Sequence, residues 1–119
     1  MCLYDVHSQE DLKEAEKILA SSGCKRKTID EALDILSGVN TGFTFTNYAE
    51  GLTVVMISRA SSPEQMYDTI QHELKHVTEH ISEYYDVESR EEAAAYLQGE
   101  IARKMYVAAS MLVCPRCNC

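Results

Sequence analysis

Two histidines and a glutamate in the segment "HELKH", His72, Glu73 and His76, have the types and spacing that suit metal chemistry. Residues four apart lie on the same face of a helix, so both imidazoles could bind one ion. Glu73 lies at an angle from which it could hold a water molecule bound to that ion. H-E-x-x-H on a helix is the pattern of a zinc site whose glutamate is a general base. The segment therefore predicts zinc bound by His72 and His76, with proton transfer by Glu73.

Catalytic zinc needs a third protein ligand and an open position for water. His80 continues the spacing, but it lies about 12 Å along the helix axis from His72 and is not expected to share the ion. A short turn at residues 86–89 would fold the next helix back and bring its first acidic residues near His76. The candidates for the third ligand, in order of preference, are Glu92, Glu91 and Glu88.

A long amphipathic helix must hold the histidines. "SSPEQ" predicts its start, because Ser62 can cap the helix and Pro63 suits the first helical position. The helix should run to about Tyr85. Its apolar stripe contains Met66, Ile70, Leu74, Val77, Ile81 and Tyr84. The three histidines lie about 200°, 240° and 280° from Ile70, so we expect them on a polar face rather than in the core.

The remaining patterns predict an α+β fold. Capping signals predict two N-terminal helices, one from Ser8 to Gly23 and one from Thr28 to Gly38. The segments "GFTFTNY" and "LTVVMIS" predict an antiparallel β-hairpin. A last helix, antiparallel to the histidine helix, should run from about Arg90 to Leu112. We expect a single domain at residues 1–113 and a cysteine-rich tail at residues 114–119.

Composition limits the classes of partner. The chain has 119 residues and a formal net charge of −8, which argues against nucleic acid because phosphate binding needs a basic surface. No apolar run reaches the roughly 18 residues of a membrane span. No secretory signal is visible, so we expect a cytoplasmic protein that does not bind membranes.

The segment "HELKH" followed by an acidic helix start resembles the zincin metallopeptidases, in particular a minimal form of the gluzincin branch. The resemblance covers roughly residues 52–105. It implies zinc ligation by His72, His76 and Glu92, with Glu73 as the general base. In that mechanism a zinc-activated water attacks the peptide bond. It also implies a peptide or protein substrate, held in extended form by an edge strand, and "LTVVMIS" lies where that strand is expected.

The developing charge on the substrate carbonyl oxygen needs a hydrogen-bond donor. The candidates are His80, Tyr84, Tyr96 and Tyr106. The alternative function is a non-catalytic, zinc-stabilised helical module for binding or regulation. Four protein ligands on the metal would favour this alternative, whereas an open water position would favour the enzyme.

The tail "CPRCNC" contains half of a structural zinc site. A second zinc could bind Cys114, Cys117 and Cys119, completed by Cys2, Cys24 or a second chain. One tail thiolate could instead occupy the open position of the first zinc and inhibit it. The third interpretation is a flexible, partly oxidised tail.

Overall fold

The structure, a computed structural model, describes residues 2–86, 88 and 92–113, and the side chains of residues 109–113 are outside the description. Seven elements follow one another along the chain. They are strand β1 (Cys2–Val6), helices α1 (Gln9–Ser21) and α2 (Arg26–Leu36), strands β2 (Gly42–Asn47) and β3 (Leu52–Ser58), and helices α3 (Pro63–Tyr84) and α4 (Glu92–Val113). This order of helices around a small sheet confirms the α+β prediction.

The described residues form three layers. The sheet has the strand order β1-β3-β2, with β1 parallel and β2 antiparallel to β3. Val54 and Met56 on one face of β3 pack against α1 and α2, whereas Val55 and Ile57 on the other face pack against α3 and α4. In the part of the chain that the structure describes, no helix has the length and apolar character that a membrane span requires.

Capping determines where the predicted helices begin. Ser8 and Asp11 form the predicted capping box at the start of α1, and the Ser62 hydroxyl accepts from the Gln65 amide at the start of α3. Helix α2 instead begins two residues before the predicted Thr28 cap, at Arg26, without a side-chain cap. The Arg26 guanidinium donates to Asp30 four residues later, which stabilises this additional turn.

Strand β1 was not predicted, and it changes the sheet from an antiparallel hairpin to a mixed sheet. Cys2 pairs with Val54 and Val6 with Ser58, so β1 covers the edge of β3 that the hairpin leaves free. The expectation that Leu52–Ser58 is the edge strand is therefore wrong. Strand β3 is paired on both sides and buried on both faces, and β2 is the edge strand beside α3.

Candidate metal centre

Helix α3 presents two polar surfaces as well as an apolar one. Its apolar residues pack on β3 and α4, whereas Glu73 and His80 face the polar side of β2. His72 and His76 project farther round the helix, where their side chains are 68% and 45% exposed. The predicted polar face is therefore divided into an exposed histidine pair and a buried polar contact with the sheet.

The histidine pair has the geometry of two ligands on one ion. The Nε2 atoms of His72 and His76 lie 3.2 Å apart, and the ring centroids lie 4.9 Å apart. Two imidazole nitrogens bound at about 2.05 Å to a tetrahedral zinc would be separated by about 3.3 Å. The separation of these two nitrogens therefore matches that of two ligands on one zinc ion.

Glu73 is held beside the histidine pair in a buried position. Its side chain is only 4% exposed, and its Oε1 atom accepts a hydrogen bond of 2.8 Å from the Thr44 hydroxyl on β2. The other oxygen, Oε2, lies 3.9 Å from Nε2 of His72. Gly42 permits this approach, because a Cβ at that position would lie 2.7 Å from Cγ of Glu73. Strand β2 thus fixes the carboxylate with one oxygen directed at the histidines.

His72, Glu73 and His76 form a group of possible ligands whose donor atoms all lie within 4.8 Å of one another. No other group of this kind lies among residues 2–86, 88 and 92–113, which are the residues that the structure describes. The structure therefore brings together three of the four residues that the sequence assigned to the site.

Glu92, the preferred third ligand, is not a member of this group. It is the first residue of α4 and its side chain is exposed. Glu88 is also exposed and also outside the group, and Glu91 lies outside the described residues. The assignment of the third ligand to the start of α4 stays a prediction.

His80 continues the histidine row but has a different environment. Its Nδ1 atom lies 2.8 Å from the hydroxyl of Thr46, which in turn lies 3.0 Å from the hydroxyl of Thr53. Burial lowers the pKa of His80, against the opposing charge of Glu83. Its ring centroid lies 6.4 Å from that of His76. His80 is thus a neutral, oriented side chain next to the pair and not a member of the ligand group.

The other donor candidates are exposed. Tyr84, Tyr96 and Tyr106 all lie on the surface, and Tyr84 is the one adjacent to the histidine row, through its stacking on Tyr48. Tyr48 in turn lies 6.1 Å from the ring of His80. Of the oriented groups in this region, His80 therefore has the better-defined position for contact with a substrate carbonyl.

The predicted cysteine site falls on Cys114, Cys117 and Cys119, which lie outside the described residues. Of the two cysteines proposed to complete it, Cys2 is half-buried on β1 and Cys24 is buried in the core next to α1 and α2. Burial raises the pKa of the Cys24 thiol, which disfavours the thiolate that a metal needs.

Sequence reasoning missed the contribution of β2. Gly42, Thr44 and Thr46 face α3, whereas Phe43 and Phe45 pack toward α1 and α2. The alternation of "GFTFT" contains this signal, because strand residues two apart lie on the same face. A row of one glycine and two threonines on that face indicates a polar contact rather than core packing.

No protein-family model, curated protein or solved structure matches this chain. Arguments about function therefore depend on the geometry of the site.

Proposed function

We propose that this protein is a zinc-dependent metallopeptidase. The observation that carries the proposal is the arrangement of His72, Glu73 and His76: two exposed imidazole nitrogens at the spacing of zinc ligands, beside a buried carboxylate. Packing does not account for these features, because both histidine side chains are partly exposed, and burying the Glu73 carboxylate costs free energy that the hydrogen bond from Thr44 only partly offsets.

Zinc, when bound, would supply Lewis acidity and a water whose pKa falls toward about 7. Glu73 would accept the proton of that water and pass it to the leaving amine. Thr44 supports this role, because its hydroxyl holds Oε1 and leaves Oε2 directed toward the histidines. When Thr46 donates to Nδ1, the Nε2 atom of His80 would be available to donate a hydrogen bond to a main-chain carbonyl of the bound peptide.

The edge of β2 supports peptide binding. Glu73 contacts Thr44 and His80 contacts Thr46, so β2 runs alongside the histidine row. In the described sheet one side of β2 pairs with β3 and the other side has no strand partner. An extended peptide could add to this edge through main-chain hydrogen bonds and pass next to the histidine pair.

The test combines metal content with peptide cleavage. His72→Ala and His76→Ala should each lower the zinc content of the purified protein and abolish cleavage. Glu73→Gln should retain zinc and lose cleavage by a factor of at least about 100. His7→Ala, an exposed histidine remote from α3, is the matched control and should retain both. Full metal-dependent cleavage by Glu73→Gln would refute the mechanism, and unchanged zinc in both alanine variants would refute the site.

The position of Glu92 keeps one alternative open, a non-catalytic zinc-stabilised module. Because Glu92 lies outside the ligand group, Glu73 itself could act as the third ligand, which would leave no general base. In that case Glu73→Gln would weaken zinc binding rather than leave it intact. For a structural site, X-ray absorption of the zinc-loaded protein would have to show four protein ligands and no bound water, so a fourth ligand besides His72, Glu73 and His76 would also be required.

A further inference from the structure

A cleft of about 470 Å³ opens next to the histidine row. It lies between the hairpin end of β2 and β3, the C-terminal half of α3, and α4. His80 forms one wall, so the cleft begins where the row of histidines ends. Its volume is within the range of pockets that bind small molecules or large side chains.

The cleft has an aliphatic wall and exposed aromatic side chains. Ile81, Leu97 and Ile101 form the aliphatic wall, where Ile101 is buried and the other two are half-buried. The aromatic residues Tyr84 and Tyr85 are 50% and 68% exposed. The hairpin contributes threonines to the lining, so the aliphatic wall and the exposed aromatic rings are the parts that suit an apolar group.

The charges of the cleft favour an uncharged occupant. Glu100 and Lys104, one helical turn apart on α4, both line it with opposite formal charges, and Glu100 also forms an ion pair with Arg103. The formal charges of the lining residues therefore sum to zero.

We propose that this cleft binds a large apolar side chain, aromatic or leucine-like, of a peptide that lies along the edge of β2. The distance between His76 and His80 indicates which residue of the peptide enters the cleft. The ring centroids of His76 and His80 are 6.4 Å apart, and two residues of an extended strand span about 6.6 Å. Side chains two apart point to the same side, so the occupant is the residue two positions from the bond at the histidine pair.

The position of the occupant relative to the cleaved bond rests on the proposed peptidase function, whereas binding of an apolar side chain in the cleft does not. The first experiment therefore uses zinc-free protein and two probes, N-acetyl-phenylalaninamide and N-acetyl-serinamide. The phenylalanine probe should shift the methyl NMR signals of Ile81, Leu97 and Ile101, and the serine probe should not. Equal shifts with both probes, or none with either, would overturn the proposal even if the protein cleaves peptides.

The second experiment uses zinc-loaded protein and peptides that differ only in the residue two positions from the cleaved bond. Phenylalanine should give kcat/KM about tenfold or more above serine. Leu97→Trp, which fills the cleft, should remove this preference, and Gln98→Trp at an exposed position of α4 outside the cleft is the matched control. Tyr84→Ser is a second variant, at a position that is 50% exposed, and should weaken the preference. A preference that survives both cleft variants would contradict the assignment.

Absence of cleavage together with methyl shifts by the phenylalanine probe would refute the peptidase and leave the apolar cleft established. Cleavage without a preference at this position would refute the cleft and leave the peptidase intact. The two proposals thus fail separately.

Discussion

Replacing Gly42 by alanine tests whether the close contact between β2 and Glu73 controls the site. The new Cβ would lie 2.7 Å from Cγ of Glu73 and 2.9 Å from its Cδ and Oε2 atoms. Ordinary van der Waals contact begins at 3.4 Å, so the glutamate side chain must move by about 0.7 Å. The displaced oxygen, Oε2, is the one directed at the histidine pair.

Two terms set the stability change. Overpacking costs about 1–3 kcal/mol, because Glu73 is buried and Thr44 restricts where its carboxylate can move. Gly42 does not have a positive φ, so alanine fits the backbone and regains about 0.5 kcal/mol from the unfolded chain. We expect a net loss of about 0.5–2.5 kcal/mol, which corresponds to a Tm about 2–10 °C lower.

The functional effect should separate from metal binding. His72 and His76 do not contact Gly42, so zinc content should be unchanged. A displacement approaching 1 Å of the general base should lower kcat about 10- to 100-fold. Urea denaturation, zinc analysis and cleavage assays of one preparation measure all three quantities.

A double-mutant cycle identifies the cause. Glu73→Ala removes Cγ, Cδ and Oε2, so Gly42→Ala should cost at least about 1 kcal/mol less in the Glu73→Ala background. The control is Gly99→Ala on α4, where a Cβ would meet no atom within 4 Å and should stabilise by up to about 1 kcal/mol. Equal costs of Gly42→Ala in both backgrounds would show that the contact with Glu73 is not the reason for the loss.

Three further predictions follow from single side chains. Ser82→Ala should be neutral or stabilise the protein by up to about 1 kcal/mol, because the buried Ser82 hydroxyl has no hydrogen-bond partner among the described residues. The comparison is Thr78→Ala, which removes a hydroxyl that donates to the Leu74 carbonyl and should destabilise the protein. Ser62→Ala should cost about 1 kcal/mol in urea denaturation by removing the cap of α3, and no loss would contradict that role. Because the pKa of His80 is lowered in the folded protein, the imidazole binds a proton more readily in the unfolded chain. The free energy of unfolding of the zinc-free protein should therefore fall as the pH drops below about 6.5. His80→Gln should make this dependence of stability on pH less steep.

Local signals determined most of what the sequence could predict. The caps at Ser8 and Ser62 and the helical spacing of apolar residues are properties of neighbouring residues, and they placed α1 and α3 correctly. The pair His72 and His76 depends on one helical turn, which is also local. For this reason the exposed histidine pair was predictable and its Nε2 separation followed from α3 alone.

The parts that failed depend on contacts between distant segments. Strand β1 pairs in parallel with a strand some fifty residues later, and a five-residue segment carries no local sign of that pairing. The continuous apolar run of β3 is typical of a strand buried on both faces. This run could therefore have predicted that β3 is the central strand of the sheet. The burial of Glu73 needs Gly42 and Thr44 from another element, which helix periodicity alone does not show.

The parallel pairing of β1 with β3 has a consequence for the order of folding. β1 is synthesised before β3, and α1, α2 and β2 all lie between them in the chain. Closing so long a loop costs conformational entropy, which slows the formation of such non-local pairings. The hydrogen bonds of Glu73 and His80, by contrast, reach only the neighbouring hairpin. The histidine helix and its hairpin can therefore assemble first, and the N-terminal strand docks onto a scaffold in which the ligand pair is already in place.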